Sequence, residues 1–318
     1  MHILITGGAG FLGSHLTKRL LNEGHKVTVI DDFITGSKSN LPVDKDLTIV
    51  DKDVSDISYH TLQGLRQIDQ IYHLASPASP NHHSPISYHA LPMETMMVNT
   101  VGTHRMLEMA EWQGAKFLFA STSECYGDPE VNPQPETYNG NVSTTGPRSV
   151  YDEAKRFGET LTAHYWRKQG VDARIVRIFN TFGPQMATAD MRMISNFIHQ
   201  ALRGDPITLF GDGTQTRSLT YVDDTIEGIV RLMNYENTKG EVVNIGSSDE
   251  HSVRKYAELV KEITGSASEI VCAEDLPDTD PKMRRADISK AKKLIDWEPK
   301  VALHDGLNQM VEWVKTTT

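Results

Sequence analysis

The fold of this chain is decided by residues 2–13, His2-Ile3-Leu4-Ile5-Thr6-Gly7-Gly8-Ala9-Gly10-Phe11-Leu12-Gly13. Residues 2–6 are a short apolar run that predicts a strand, and the residues after Gly13, to about Glu23, have the pattern of an amphipathic helix. A glycine-rich turn between a strand and a helix lets the backbone approach a pyrophosphate, which the helix N-terminus attracts. We therefore expect a dinucleotide to contact Gly7, Gly10, Phe11, Leu12 and Gly13.

A second predicted strand, Lys26–Ile30, ends at Asp31. A carboxylate about 20 residues after the glycines accepts hydrogen bonds from the adenosine ribose hydroxyls. Asp32 follows directly and neither Lys nor Arg is adjacent, so two carboxylates would repel a 2′-phosphate, which favours NAD over NADP. The alternative interpretation is a strand-end acid that only faces water.

Further predicted strands end at the same edge and are followed by small or polar residues. These strands are Leu47–Val50, Gln70–Leu74, Lys116–Ala120 and Ala173–Phe179. Asp53 and Val54 follow the third strand, where they would line an adenine. Leu74, Ala75 and Ser76 end the fourth, where small side chains leave room for a ligand.

The alternation of strands and helices predicts an α/β fold with a doubly wound parallel sheet (Rossmann) and a smaller mixed C-terminal substrate lobe. We expect the NAD-binding domain to comprise residues 1–178 plus about 221–246, and the lobe about 179–220 plus 247–318. Further predicted elements are a helical pattern within Ser84–Trp112 that is broken near Pro92, helices at 192–203, Val222–Met233, Val253–Ile263 and Leu303–Lys315, and strands at Ile207–Phe210 and Glu241–Ile245.

Composition argues against several functional classes. With 32 Lys and Arg against 42 Asp and Glu, the net charge is −10 and no basic run stands out, so we expect no nucleic-acid partner. No apolar run is long enough to span a bilayer, and the first residues lack a signal-peptide pattern. Two cysteines in unrelated settings, Cys125 and Cys272, indicate a reducing cytoplasm. No metal is predicted, because the adjacent His82 and His83 have no further ligands at a suitable spacing.

Tyr151 and Lys155 are four residues apart and would lie on one face of a helix. The pKa of a phenol is about 10, and an ammonium group nearby lowers it. The pair is therefore a candidate general acid and base for a hydroxyl proton. The same spacing also occurs where a tyrosine only packs on a lysine stem.

In combination, these motifs resemble the extended short-chain dehydrogenase/reductase family over essentially the whole chain. Within the family, the chain is most similar to the decarboxylases that act on UDP-glucuronate. The similar runs are LASPASP (74–80), STSECYGDPEVNPQP (121–135), GPRSVYDEAKR (146–156), RIFNTFGP (177–184) and SNFIHQAL (195–202). The resemblance implies UDP-glucuronate as the substrate, UDP-xylose as the product and NAD as a retained cofactor.

By this resemblance, Tyr151 takes the proton of the sugar 4-hydroxyl, Thr122 binds the 4-oxygen, and Lys155 lowers the pKa of Tyr151 and holds the nicotinamide ribose. NAD takes the C4 hydride and returns it after carbon dioxide has left the 4-keto sugar. Glu124 and Arg217 would approach C5, although a structural cap and a phosphate contact are the alternatives. The other implied contacts are Asn99 for the cofactor and Pro77, Asn180, Arg192 and Arg284 or Arg285 for the substrate.

Three other functions remain open at this point. A dTDP-glucose 4,6-dehydratase would carry an acid where Ser123 stands, and a 4-epimerase of a UDP-hexose or UDP-uronate would usually lack the glutamate at 124. A protein that binds NAD without turnover would have a damaged catalytic set. Gln185 replaces an arginine common in the decarboxylases.

The resemblance also implies a homodimer through a four-helix bundle formed by helices Met93–Trp112 and Tyr151–Gln169.

Overall fold

The structure, a computed structural model, describes residues 1–57, 61, 64–65, 67–276 and 280–317. Its strands are β1 (His2–Thr6), β2 (Lys26–Asp31), β3 (Leu47–Asp51), β4 (Gln70–His73), β5 (Lys116–Thr122), β6 (Ala173–Ile178), β7 (Thr181–Phe182), β8 (Ile207–Phe210), β9 (Thr216–Ser218), β10 (Thr220–Tyr221), β11 (Val242–Ile245), β12 (Glu250–Ser252) and β13 (Ile270–Glu274).

The central sheet has seven strands in the order β11-β6-β5-β4-β1-β2-β3, and all its neighbouring strands are parallel. The strand order reverses beside β1, and ligands of such sheets bind in the crevice at this switch point. The predicted doubly wound α/β fold is therefore confirmed. Smaller two-stranded sheets, β7 with β10, β8 with β13 and β9 with β12, form the C-terminal part.

The helices flank the sheet and the C-terminal strands. They are α1 (Phe11–Asn22), α2 (Pro92–Met97), α3 (Thr103–Gln113), α4 (Ser149–His164), α5 (Met193–Arg203), α6 (Val222–Asn234), α7 (Val253–Thr264), α8 (Ser289–Ile295) and α9 (Leu303–Thr317). A π-helical turn, Val98–Gly102, joins α2 to α3, and a second, Tyr165–Gln169, extends α4. No helix in the described part of the chain is long and apolar enough to cross a membrane.

The predicted helical pattern within Ser84–Trp112 is correct only from Pro92 onward. Residues before Pro92 form turns instead, because serine side chains there bind the local backbone. The Ser84 hydroxyl accepts from the Ile86 N–H at 3.3 Å, and the Ser87 hydroxyl donates to the Ser84 carbonyl at 2.8 Å. Local side-chain bonding thus competes with the helix that the apolar spacing indicated.

The apolar core has two clusters, one on each face of the central sheet. Strand β1 directs Ile3 and Ile5 into one cluster and Leu4 into the other, as side-chain alternation along a strand requires. The cluster with Ile3 continues into C-terminal residues such as Trp297 and Val314. The expected division into a domain of residues 1–178 plus about 221–246 and a lobe of about 179–220 plus 247–318 stays a prediction.

Candidate active site

A cavity of about 830 Å³ lies at the carboxyl ends of the parallel strands, between them and the C-terminal residues. It brings together most of the residues that the sequence singled out. The predicted residues that line it are Gly7, Gly10, Phe11, Leu12, Gly13, Asp31, Asp32, Asp53, Val54, Leu74, Ala75, Ser76, Pro77, Thr122, Glu124, Tyr151, Lys155, Asn180, Arg192, Arg217 and Arg284.

Two predicted contacts lie outside this lining. Asn99 is fully buried behind it and donates to the hydroxyl of Ser76 at 2.8 Å. Arg285 is 39% exposed at its side chain and lies 4.0 Å from Glu250. Between the two neighbouring arginines that the sequence left open, Arg284 is therefore the one on the cavity wall.

We call the part of the cavity formed by Gly7, Gly10, Gly13 and Asp31 the glycine end. Gly7 has a φ of +71°, a backbone conformation that favours glycine. A Cβ on Gly13 would stand 2.0 Å from the Gly7 carbonyl oxygen, so only glycine permits this tight turn into α1. Because no side chains cover the backbone here, a pyrophosphate can approach the N–H groups at the N-terminus of α1.

Asp31, at the end of β2, fixes the glycine turn from the opposite side. Its carboxylate accepts from the backbone N–H groups of Ala9 and Phe33, both at 2.9 Å. Burial raises the pKa of this carboxyl, and the two backbone bonds oppose that rise. Each carboxylate oxygen can accept a further bond. The glycine turn, Asp31 and the neighbouring Asp32 on the cavity wall therefore fit an adenosine dinucleotide, and the fit favours NAD.

Tyr151 lies in the first turn of α4 and faces the end of β5. Its phenol is hydrogen-bonded to Thr122, whose hydroxyl also accepts from the Glu124 N–H at 3.2 Å. The ring stacks on Tyr88, with centroids 4.9 Å apart and planes at 9°. The phenol and the Thr122 hydroxyl are thus held together on the cavity wall.

Lys155 follows Tyr151 one helical turn later and donates from Nζ to the Ala120 carbonyl at 2.7 Å. Helix α4 approaches β5 closely because Gly158 has no side chain: a Cβ there would stand 2.4 Å from the Phe119 ring. Nζ lies 5.8 Å from the centre of the Tyr151 ring. The predicted proximity of the phenol and the ammonium is present.

The expected lowering of the Tyr151 pKa by Lys155 stays a prediction, and burial acts on the pKa of both groups. Burial raises the pKa of Tyr151, although the hydrogen bond from Thr122 opposes it. Burial also lowers the pKa of Lys155 to about 7, which reduces the positive charge available near neutral pH. The spacing of Tyr151 and Lys155 along the helix does not indicate how deeply either side chain is buried.

We call the part of the cavity formed by Glu124, Arg148, Arg217, Asp280 and Arg284 the arginine end. Arg148 donates to Glu124 and, at 3.2 Å, to Asp280. Arg217 donates to the other oxygen of Asp280 at 2.7 Å. Arg284 donates to Glu124 at 3.2 Å. The result is a chain of alternating charges at the wall of the cavity.

The charge of Glu124 is maintained by its surroundings. Burial alone would raise the pKa of this carboxyl, but Arg284 and Arg148, with a smaller effect of Arg217, lower it to about 2. The neighbouring Asp152 shows the opposite result, because burial and the charge of Glu124 raise its pKa to about 7. The arginine end therefore contains ionised Glu124 beside a carboxyl that is protonated well into the neutral range.

Arg284 also shapes the turn that carries Glu124. It is 1% exposed and donates to the Ser123 carbonyl and, at 3.1 Å, to the Gly127 carbonyl. The family resemblance implied that either Arg284 or Arg285 contacts the substrate. In the structure, the guanidinium N–H groups of Arg284 instead donate to this turn and to Glu124.

Arg148 and Asp280 are cavity residues that the sequence analysis missed. Arg148 precedes Tyr151 by three residues, within a run quoted for the family resemblance. A cation so close in sequence to the candidate general base was therefore an available signal. Asp280 had no comparable signal, because it lies 132 residues from Arg148.

The remaining predicted contacts occupy the opposite wall. Arg192 lies 2.9 Å from Asp190, and Asn180 lines the cavity near the end of β6. Gln185, where many decarboxylases would have arginine, has a φ of +66° and accepts from the Ser14 hydroxyl at 2.9 Å. Its side chain therefore ties this wall to α1.

Comparison with known proteins agrees with this geometry. Residues 3–246 match the family described as the NAD dependent epimerase/dehydratase family. A UDP-glucuronic acid decarboxylase 1 of Xenopus tropicalis is 47% identical over 316 residues, which cover 98% of this chain and 72% of that protein. A UDP-glucuronic acid decarboxylase 5 of Arabidopsis thaliana is 48% identical over 316 residues, which cover 98% of this chain and 89% of that protein.

The solved structure of a UDP-glucuronic acid 4-epimerase from Bacillus cereus, in complex with UDP-glucuronic acid and NAD, is also similar. It has a TM-score of 0.88 and 32% identity and covers 100% of both chains. The comparisons confirm the predictions of an NAD-dependent enzyme and of a relationship to UDP-glucuronate decarboxylases. The chain therefore belongs to the NAD dependent epimerase/dehydratase family, within the extended short-chain dehydrogenases/reductases.

Proposed function

We propose that this chain converts UDP-glucuronate to UDP-xylose, with NAD bound as a cofactor that is regenerated in each turnover. The observation that carries the proposal is the charge balance of the arginine end. Three guanidinium groups there pair with two carboxylates, Glu124 and Asp280, so the arginine end has one more guanidinium group than paired carboxylates. A single uronate carboxylate would balance the additional guanidinium group.

Each residue near Tyr151 has a role in this proposal. Tyr151 accepts the proton of the 4-hydroxyl, and Thr122 binds the same oxygen, because the two groups already share a hydrogen bond. NAD, which the glycine end would hold, would supply a reversible hydride acceptor for C4. Once C4 is a ketone, the carboxylate on C5 is β to a carbonyl, so carbon dioxide can leave with the electron pair delocalised as an enolate.

The arginine end controls the fate of this carboxylate. The guanidinium groups of Arg148 and Arg217 lie on the cavity wall, where planar donors bind a carboxylate bidentately. Ionised Glu124 beside them disfavours a second charged carboxylate. The pair of effects holds the substrate carboxyl in place and favours its loss as neutral carbon dioxide. Reprotonation of C5 then completes the change of the carbon skeleton.

A 4-epimerase is the second candidate, because the Bacillus cereus enzyme with UDP-glucuronic acid and NAD shares this fold over its full length. A 4,6-dehydratase is less well supported. Ser123 occupies the place of the required acid, and its carbonyl is bound by Arg284. A hydroxyl cannot protonate a leaving group efficiently at neutral pH.

The test is to mix the purified protein with UDP-glucuronate, without added NAD, and to measure the nucleotide sugar by mass spectrometry. We expect a product that has lost carbon dioxide and carries a 4-hydroxyl. A product of unchanged mass with an altered sugar would establish the epimerase instead. No conversion, even with NAD supplied, would contradict both. A 4-keto product would show that the hydride does not return.

We also propose a homodimer through the helices α2, α3 and α4. Large apolar side chains on these helices are exposed: Met93 is 58%, Met97 39% and Phe157 50% exposed. Such a patch on paired helices is suited to a symmetric interface. Phe157→Glu should produce a monomer in sedimentation, whereas Val43→Glu, at an exposed residue elsewhere, should not. The cytoplasmic location expected from the two cysteines stays a prediction.

A further inference from the structure

A cluster of three potential metal ligands lies on the cavity wall and includes neither Tyr151 nor a residue of the arginine end. It consists of His82 and His83, in the loop after β4, and Glu274, the last residue of β13. His83 Nε2 lies 2.8 Å from one carboxylate oxygen of Glu274, and His82 Nε2 lies 3.4 Å from the other. No metal was expected because His82 and His83 have no further ligand at a suitable spacing in the sequence, and Glu274 is 191 residues from His83. The fold provides the third ligand that the local spacing lacked.

The donor set suits a divalent transition metal. Zinc takes imidazole nitrogens and carboxylate oxygens at about 2.0–2.2 Å, in sites with two histidines and one glutamate that leave a position open. Ligand atoms of such a tetrahedral ion are about 3.3 Å apart. The three ligand atoms here all lie within 4.8 Å of one another, so small side-chain rotations would place them around one ion.

The backbone on both sides of the cluster is anchored, so a metal would meet ligands that are already assembled. The Ser79 hydroxyl donates to the Asp190 carbonyl at 2.6 Å, and the Asn81 side chain donates to the Met191 carbonyl at 2.8 Å. On the other side, the Gly211 N–H donates to the Glu274 carbonyl at 2.7 Å. Both elements are therefore held independently of the His–Glu contacts.

An ion pair without a metal is the alternative explanation for this arrangement. The three side chains are 44–49% exposed, and an exposed ion pair contributes little free energy. Two imidazoles of adjacent residues also converge on one carboxylate, with ring centres 4.0 Å apart. A single metal ion suits this convergence, because each imidazole and the carboxylate can offer it one ligand atom.

We propose that His82, His83 and Glu274 form a zinc site that, when occupied, ties the loop after β4 to β13 at the cavity wall and slows exchange of the nucleotide sugar. Zinc binding does not depend on the proposed function, but the effect on turnover rests on it. The ring of His82 also lies 5.9 Å from that of Phe210, which lines the cavity. An ion here would thus be beside the path of any ligand that enters from this side.

The first test is calorimetric titration of the untagged, chelator-treated holoenzyme with zinc chloride. We expect saturable binding of one ion per chain. His83→Ala and Glu274→Gln should each weaken it by about tenfold or more, because a ligand has been removed. The matched control is His25→Gln, since His25 lies 3.8 Å from Glu23 but has no second histidine in that pair. Absent binding, or equal weakening in the control, would overturn the site.

The second test measures turnover of UDP-glucuronate with and without zinc. Zinc should slow the original chain, a chelator should reverse this, and His83→Ala should be insensitive. If zinc binds as expected but does not change turnover in an active enzyme, the proposed effect of the ion on exchange of the nucleotide sugar is contradicted. If the enzyme has no activity on UDP-glucuronate, the calorimetric result still decides the site, so failure of the proposed function is distinguished from failure of this proposal.

Discussion

The glycine end and the arginine end of the same cavity are built in different ways. The glycine end comes from one short stretch, residues 7–13, plus Asp31, and it presents mainly backbone. The arginine end collects side chains from residue 124 to residue 284, and its members hold one another by charge. The glycine end depends on the absence of side chains, and the arginine end depends on the balance of charges among its side chains. The two ends should therefore fail separately when they are mutated.

The largest effect is expected from Tyr151→Phe. It removes the general base while the stacking on Tyr88 and the glycine end remain. Turnover of UDP-glucuronate should fall by about 1,000-fold, in the range of general acid–base catalysis. Retained NAD, measured by absorbance after denaturation, should be unchanged. A fall of less than tenfold would contradict the catalytic assignment.

Arg148→Met should mainly reduce kcat/KM for UDP-glucuronate. It removes a guanidinium group from the arginine end, and a buried charged contact contributes about 2–5 kcal/mol, so about 100-fold is expected. Arg148→Lys keeps the charge without the planar fork and should be intermediate. Retained NAD should again be unchanged. Parallel loss of NAD would show that the two ends are not independent.

Gly13→Ala should break the glycine end instead. The new Cβ would meet the Gly7 carbonyl oxygen at 2.0 Å, and overpacking of this kind costs about 1–3 kcal/mol. We expect loss of retained NAD and a lower free energy of unfolding. Gly102→Ala is the matched control, because its Cβ would meet Val54 at an ordinary 3.4 Å. Equal NAD loss in both variants would contradict the role of the turn.

His73, beneath the glycine end, should make stability depend on pH. It is fully buried between the hydroxyls of Thr6 and Thr103, and burial lowers its pKa to about 3. The unfolded chain binds a proton below about pH 6.5, and the folded chain does not until about pH 3. Its contribution is therefore complete above pH 6.5 and falls by about 1.4 kcal/mol per pH unit as pH decreases to 3. The free energy of unfolding, measured with denaturant at several pH values, should show this slope for the original chain and lose it in His73→Asn.

Asp152, beside the arginine end, should show the opposite sign. Its folded pKa of about 7 lies above the unfolded value, so the folded chain binds the extra proton between about pH 4 and 7. Stability from this group is present at low pH and is lost as pH rises through 7. Asp152→Asn should remove that loss, and we expect a smaller net effect because Glu124 titrates with it. If the free energy of unfolding changes with pH equally in the original chain and in Asp152→Asn, the assignment is contradicted.

Short-range patterns predicted the sheet, its strand ends and the cofactor side of the cavity lining, whereas the substrate side of the lining came from the family resemblance. Alternation of apolar residues defines each strand, and parallel strands bring their carboxyl ends to one edge. The prediction was wrong at Ser84–Leu91, where serine hydroxyls bind the local backbone, and it did not include the burial that raises the pKa of Tyr151. Both effects come from interactions that periodicity does not contain.

The sequence by itself determined the glycine end, because a tight turn, a strand-end acid and a helix start are encoded within about 30 contiguous residues. It also determined the Tyr151 and Lys155 pair, since helical spacing places them on one face. Only the tertiary structure decided the arginine end and the His82, His83 and Glu274 cluster. Each cluster depends on contacts between residues more than 100 positions apart, such as those of Arg148 with Asp280 and of His83 with Glu274. Charges that far apart in the chain become neighbours only when the C-terminal strands pack over the sheet.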